Sequence, residues 1–113
     1  MENLQKDISL FIQEAIEAAK LLADFADQQI DYTVIEKMSG KERRELIQAA
    51  KDSQLGLQAT FEKFDIPAQP LIRQGALSQE QVNALTLLNA LITENYTRAG
   101  KLIQAARYEY GVS

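Results

Sequence analysis

The chain contains no cysteine, no histidine and no tryptophan, and it has only 2 prolines among 113 residues. Without cysteine it forms no disulfide and is indifferent to the redox compartment. Without histidine and cysteine it lacks the commonest general base, the strongest natural nucleophile and the usual transition-metal ligands. It also lacks a glycine-rich phosphate loop, a serine nucleophile elbow and a zinc signature. We therefore expect that the protein is not an enzyme and that it has no catalytic residue, no metal and no cofactor.

Long apolar runs are missing as well. The longest run is only a few residues, whereas a membrane helix needs about 20. The start, Met1-Glu2-Asn3, lacks the basic and apolar segments of a secretory signal. A net charge of −4 and a pI near 4.8 disfavour binding to nucleic acid. The expectation is one globular domain over residues 1–113, cytoplasmic, with no membrane and no nucleic-acid partner.

Three series of apolar residues, spaced by three or four, dominate what is present. They are Leu4, Ile8, Phe11, Ala15, Ala18, Leu22 and Phe25; Leu46, Ala50, Ser53, Leu57, Phe61 and Phe64; and Leu85, Leu88, Ile92, Asn95, Ala99, Leu102 and Ala106. This spacing keeps side chains on one face of an α-helix and suits a seam against another helix. The fold class predicted is all-α: an antiparallel bundle with coiled-coil-like packing of three long helices, and one or two short helical turns in the connections.

Capping residues predict where the helices begin. The helices are expected at about residues 3–29, 39–64 and 79–109, with a short turn at 31–38. Ser39 with Glu42, and Ser78 with Gln81, have the spacing of a capping box, and Asp31 can cap the short turn. Gly111 is expected to end the third helix. Gly56, inside the second helix, is interpreted as a point of close approach between helices.

The connection predicted at residues 65–77 is unusually apolar. Pro67 and Pro70 are expected to end the second helix, and Gly75 to mark a turn. The segment nevertheless contains Ile66, Leu71, Ile72 and Leu77. We expect it to fold over one end of the bundle, and the alternative is an exposed binding surface.

Charge is distributed unevenly along the chain. Residues 1–31 have a local charge of −5, with seven acidic and two basic residues, and residues 36–51 have a local charge of +2. The favoured interpretation is attraction between an acidic first helix and the basic start of the second. The alternative is a basic docking patch around Arg43 and Arg44.

The third helix has more apolar residues than a three-helix bundle easily buries. A polar residue within its seam, Asn95, either makes a contact inside the monomer or selects a partner. The predicted partner-binding residues are Leu87, Leu91, Asn95, Tyr96, Leu102, Ile103, Tyr108, Tyr110, Ile66, Leu71 and Ile72. The partner expected is another protein, and a second copy of the chain could serve instead.

Residues Asp31–Leu46 have a pattern found in a known family. The pattern consists of an Asp after a first long helix, a Leu-Glu-x-Leu-like stretch and a basic second helix. Its places are filled here by Asp31, Ile35, Glu36, Met38, Lys41 and Leu46. Leu88-Asn89, Asn95 and the segment 100–103 are similar to the start of a client-binding C-terminal helix. In these features the chain resembles the FlgN-type flagellar export chaperones.

The resemblance implies a cytoplasmic, non-catalytic chaperone that holds a flagellar or secreted client through its third helix. The alternative is a small regulatory binder, an antiactivator or inhibitor that covers an interface of a transcription factor or enzyme, as a homodimer.

Overall fold

The computed structural model describes the backbone of residues 2–108 and the side chains of residues 7–107. It contains four helices: α1 (Glu2–Ala26), α2 (Tyr32–Glu36), α3 (Gly40–Arg73) and α4 (Gln79–Tyr108). The molecule is elongated, measuring 58 × 21 × 19 Å. The all-α bundle of three long helices and one short helical turn is therefore confirmed. Tyr110 and Gly111 lie outside the described residues.

Helix α4 is the common partner of the other three helices. Arg43 near the start of α3 reaches Ala106 of α4, and Gln54 reaches Tyr96, so α3 and α4 run antiparallel. Asn95 reaches Leu22, so α1 runs alongside α4 in the same direction. Since α1 ends at Ala26, three residues before its predicted end, it covers only part of α4. Beyond that point α2 packs against α4 instead.

The core consists of two clusters that follow the predicted seams. In the larger cluster all three long helices meet, and its buried members are Ile12, Ala15, Ala19, Leu57, Phe64, Ala68, Leu85, Leu88, Leu91 and Ile92. In the smaller cluster Ala50 of α3 packs against Ala99 and Ile103 of α4. Alanines at these positions let the helix backbones approach closely, because a methyl group fills little space. The core therefore narrows from three long helices to two along the length of α4.

The predicted helix starts are confirmed by the hydrogen bonds that cap them. The Ser39 hydroxyl accepts from the Glu42 N–H at 3.2 Å, and the Glu42 carboxylate accepts from the Ser39 N–H at 3.2 Å. Ser78 and Gln81 make the same reciprocal pair at 3.2 and 2.9 Å. Asp31 caps α2 through the N–H groups of Thr33 and Val34. Each cap satisfies backbone donors that a helix start leaves without a partner.

The predicted end of the second helix at about Phe64 is wrong, since α3 continues through Pro67 and Pro70 to Arg73. A proline inside a helix removes one hydrogen bond and costs about 3 kcal/mol. Both prolines are exposed here, so the carbonyl groups that lose a donor can bond to water. Ala68, between them, is 2% exposed and belongs to the core. Burial of the inner face outweighs the local preference against helix.

The true connection begins at Gln74 and turns at Gly75, as the sequence predicts. Gly75 has a φ of +68°, its N–H bonds to Ile72, and the Ala76 N–H bonds to Leu71. This pair of bonds is a Schellman motif, in which a left-handed residue ends the helix. Leu77 then packs against the core. The expectation that residues 65–77 fold over one end of the bundle is therefore wrong for most of the segment, which continues α3 and leaves Ile66 and Ile72 exposed.

Replacing a glycine by alanine should change the free energy of unfolding in opposite directions at two positions, one inside α3 and one in the turn after it. Gly75→Ala should lower the free energy of unfolding by about 1–2 kcal/mol, because a left-handed conformation strains an L-residue. Gly56→Ala should raise it by up to about 1 kcal/mol, because no atom lies within 4 Å of the added Cβ and alanine favours helix. Urea unfolding of both variants checks this pair. Equal shifts of the same sign would contradict the assigned conformations.

Candidate functional site: a groove between two helices

Helices α1 and α3 touch side by side near one end of the bundle. The rings of Phe11 and Phe64 lie 5.4 Å apart between centroids. One turn further along, the Lys63 ammonium lies 3.7 Å from the Glu14 carboxylate and 5.2 Å from the Phe64 ring centroid. The ion pair is exposed and adds little stability. The aromatic pair fixes where the two helices meet.

Beyond this contact a groove opens between α1 and α3, with α4 as its floor. We call it the α1–α3 groove. Its volume is about 430 Å³, and it is lined by Leu22, Phe25, Leu46, Ala49, Ala50, Ser53, Gly56, Leu57, Thr60, Asn95, Arg98, Ala99 and Leu102. The α3 wall is built largely of small residues, which makes room between the helices. From Leu46 to Thr60 it extends about 21 Å along α3 at about 1.5 Å per residue.

Among the seam residues whose side chains the structure describes, two are exposed, and both line this groove. Phe25 is 46% exposed, and Ser53 is exposed on the opposite wall. Gly56 was interpreted as a close approach between helices, and that interpretation is wrong, because its Cα faces open space. These two seams therefore extend beyond the part of the molecule in which a neighbouring helix covers them.

The groove floor contains two polar side chains that bind backbone groups. Asn95 is 8% exposed, and its Nδ2 donates to the carbonyls of Leu22 at 3.0 Å and Leu91 at 2.9 Å. Arg98 donates from Nε to the Gln28 carbonyl at 3.1 Å. The bonds to Leu22 and Gln28 join α4 to α1 and to the chain directly after it, and the bond to Leu91 lies within α4. Of the two interpretations of Asn95, the contact inside the monomer is the one observed.

Arg43 takes no part in a surface patch, so the alternative of a docking patch around Arg43 is wrong. Its side chain is 5% exposed and donates to three backbone carbonyls: Met38 at 3.2 Å, Ala106 at 3.1 Å and Glu36 at 3.1 Å. Glu36 and Ala106 lie in the last turns of α2 and α4, where a cation is favourable to the helix dipole. Arg44, the next residue, is exposed.

The predicted partner-binding residues do not form one surface. Only Asn95 and Leu102 line the α1–α3 groove. Leu91, Asn95 and Ile103 are buried inside the bundle, so none of these three presents an exposed side chain to a partner. The exposed members are Leu87, Tyr96, Ile66 and Ile72, and Leu71 is half-buried. The Tyr108 side chain and Tyr110 lie outside the described part.

Sequence reasoning missed the groove residues on α1 and α3. Leu87 comes directly before the buried Leu88, and Tyr96 comes directly after the buried Asn95. Leu87 and Tyr96 therefore lie on different sides of α4 rather than on one face. The missed signal was the small residues at positions 49, 53 and 56, beside a seam that is otherwise apolar. Small residues on the outer side of a seam leave a space, and the large residues beside them form the border of that space.

The groove offers a shape and an apolar surface rather than reactive groups. Among residues 7–107 no three carboxylates gather into a set able to hold a metal ion. In the same part of the chain, none of the helices has the length and apolar content needed to cross a bilayer. Comparison of the chain with protein-family models, curated proteins and solved structures finds no match.

Proposed function

We propose that the protein is a non-catalytic binding module that holds a helix of another protein in the α1–α3 groove. The observation that carries this proposal is the exposed pair of seam residues, Phe25 and Ser53, on facing walls of a groove of about 430 Å³. Amphipathic helices bind in such grooves by inserting residues spaced by three or four. The bound helix would act as the missing neighbour of α1 and α3.

The composition of the groove supports a helix as the occupant. Leu22, Phe25 and Leu46 provide large apolar contacts, and Ala49 and Gly56 let another backbone come close. Leu21, one turn before Phe25, is 61% exposed and extends the apolar border along α1. Exposed apolar residues that lie side by side mark interaction sites more often than single ones do.

Filling the groove should abolish binding without unfolding the protein. We expect Ser53→Trp to weaken binding of an amphipathic helical peptide at least tenfold, because an indole occupies the space that the peptide's apolar side chains need. The probe is a fluorescein-labelled peptide of about 18 residues with leucines at helical spacing and glutamine elsewhere, long enough to form helix. Fluorescence anisotropy measures the affinity.

The matched control is Leu55→Trp, two residues further along the same helix. Leu55 is 66% exposed and does not line the groove. This variant should bind the peptide like the original protein, and both variants should keep the same helical circular dichroism. Equal loss in both variants, or no loss in Ser53→Trp, would reject the groove as the site.

For the biological role, we propose the export chaperone that the resemblance implies, in the cytoplasm. In that role Leu102, on the groove floor, would be the contribution of α4 to client binding. A chaperone of this kind should bind the helical end of an unassembled secreted protein. The regulatory alternative predicts binding to a folded transcription factor or enzyme, and light scattering over a range of concentrations tests its homodimer.

A further inference from the structure

Acidic residues border the α1–α3 groove. On α3, Glu45 lies four residues before Ala49, and Asp52 lies three residues after it and four before Gly56. Residues at these intervals are neighbours on a helix surface. Glu45 and Asp52 therefore follow the outer edge of the wall that Ala49 and Gly56 form, and both are exposed. The α1 edge carries exposed Leu21 and Phe25, and the exposed acids Glu17 and Asp24 lie four residues before Leu21 and three after it.

Basic residues also lie around the groove, and one of them, Lys41, is four residues before Glu45 at the outer end of this edge. Lys63, at the closed end, is paired with Glu14. Arg98, on the floor, donates from Nε toward the segment after α1 through the Gln28 carbonyl. Lys51 is two residues before Ser53 on the helix, which places it about 160° away from the groove wall. Glu45 and Asp52 therefore place two carboxylates about two helical turns apart along the α3 edge, between Lys41 and Lys63.

We propose, building on the proposed function, that the occupant is a basic amphipathic helix of a partner protein. Its apolar face fills the groove, and two basic residues about two turns apart face Glu45 and Asp52. These acidic residues are seven positions apart, so residues i and i+7 of a helix lying along α3 match them.

A second copy of this chain fits the groove less well. Its helix α1 belongs to a segment with a charge of −5, which the acidic edge repels. The more basic start of α3 already has its inner face buried through Arg43 and Ala50. Charge complementarity therefore favours a different protein over self-association.

Three peptides that differ at only two positions test the charge preference. Each has about 18 residues and the same leucine stripe, and two flanking positions seven apart carry lysine, glutamine or glutamate. We expect affinity to fall from lysine to glutamine to glutamate, with about a tenfold difference or more between the extremes, since exposed ion pairs and like-charge contacts each have modest effects. The difference should shrink as salt is raised.

Reversal of charge in the protein itself is the decisive part of this peptide comparison. In Glu45→Lys/Asp52→Lys the order of the three peptides should invert. The control Glu62→Lys/Glu94→Lys changes the net charge equally at exposed residues. Glu62 is nine residues from Ser53 and so lies on the opposite side of α3, and this variant should keep the original order.

Each remaining outcome decides between the two proposals. Equal binding of the three peptides, with loss in Ser53→Trp, would overturn the charge preference and leave the helix-binding function standing. A control variant that inverts the order as well would also overturn it, since the overall charge would then be the cause. No binding by any of the peptides would overturn both proposals.

Discussion

Replacing Arg43 by alanine should lower the free energy of unfolding by about 3 kcal/mol and the melting temperature by roughly 10 °C or more. The substitution removes hydrogen bonds to the carbonyls of Glu36, Met38 and Ala106. A hydrogen bond from a charged donor contributes about 1.5–3 kcal/mol, and buried carbonyls left without a donor are costly. Because the three carbonyls belong to different parts of the chain, α2 and the end of α4 should also become loose.

The neighbouring Arg44→Ala variant is the control for Arg43→Ala. Arg44 is exposed on the same helix, where an interaction of its side chain is weakened by solvent, and its replacement should change stability by about 1 kcal/mol or less. Thermal unfolding followed by circular dichroism gives the stabilities, and hydrogen exchange at Ile35 reports on α2. Arg43→Lys should be intermediate, because an ammonium group cannot match the planar fork of a guanidinium. Equal effects of the two alanine variants would contradict the buried position of Arg43.

Leu88→Ala should be comparably destabilising, by about 3–4 kcal/mol. Leu88 is 1% exposed and lies in the cluster where all three long helices meet. Truncation removes apolar contacts and leaves a cavity, and such changes cost about 2–5 kcal/mol depending on how far the surroundings collapse. Chemical denaturation gives the value from the change in midpoint.

Leu87→Ala tests the same helix one position away. Leu87 is 56% exposed, so its truncation should change stability by less than about 1 kcal/mol. The pair therefore measures how α4 is rotated about its axis, because one residue corresponds to about 100°. If Leu87→Ala were the more damaging variant, α4 would face the core with a different side from the one described.

Periodicity and caps predicted most of the fold because they act locally. Leu85, Leu88 and Ile92 were assigned to the core from spacing alone, and all three are buried. Ser39 and Ser78 marked helix starts because a hydroxyl followed by a carboxylate or amide three residues later satisfies specific backbone groups.

Two features depended on tertiary packing and could not be predicted in this way. Pro67 and Pro70 stop a helix by local rules, but burial of Ala68 holds α3 together through them. The groove arises because α1 ends at Ala26 while α3 and α4 extend further, and a seam pattern does not reveal which neighbour is missing. The buried role of Arg43 is not predictable from the sequence, because its carbonyl partners in Glu36, Met38 and Ala106 follow no local pattern.

The most direct test of the account is a nuclear magnetic resonance titration of the protein with the lysine-flanked peptide. Amide signals of Leu22, Phe25, Ser53, Gly56 and Leu102, and the methyl signals of the two leucines, are predicted to shift most, because these residues line the α1–α3 groove. Shifts that instead cluster at Leu87, Tyr96 or Ile66, with the groove signals unchanged, would contradict the claim that the groove is the binding site.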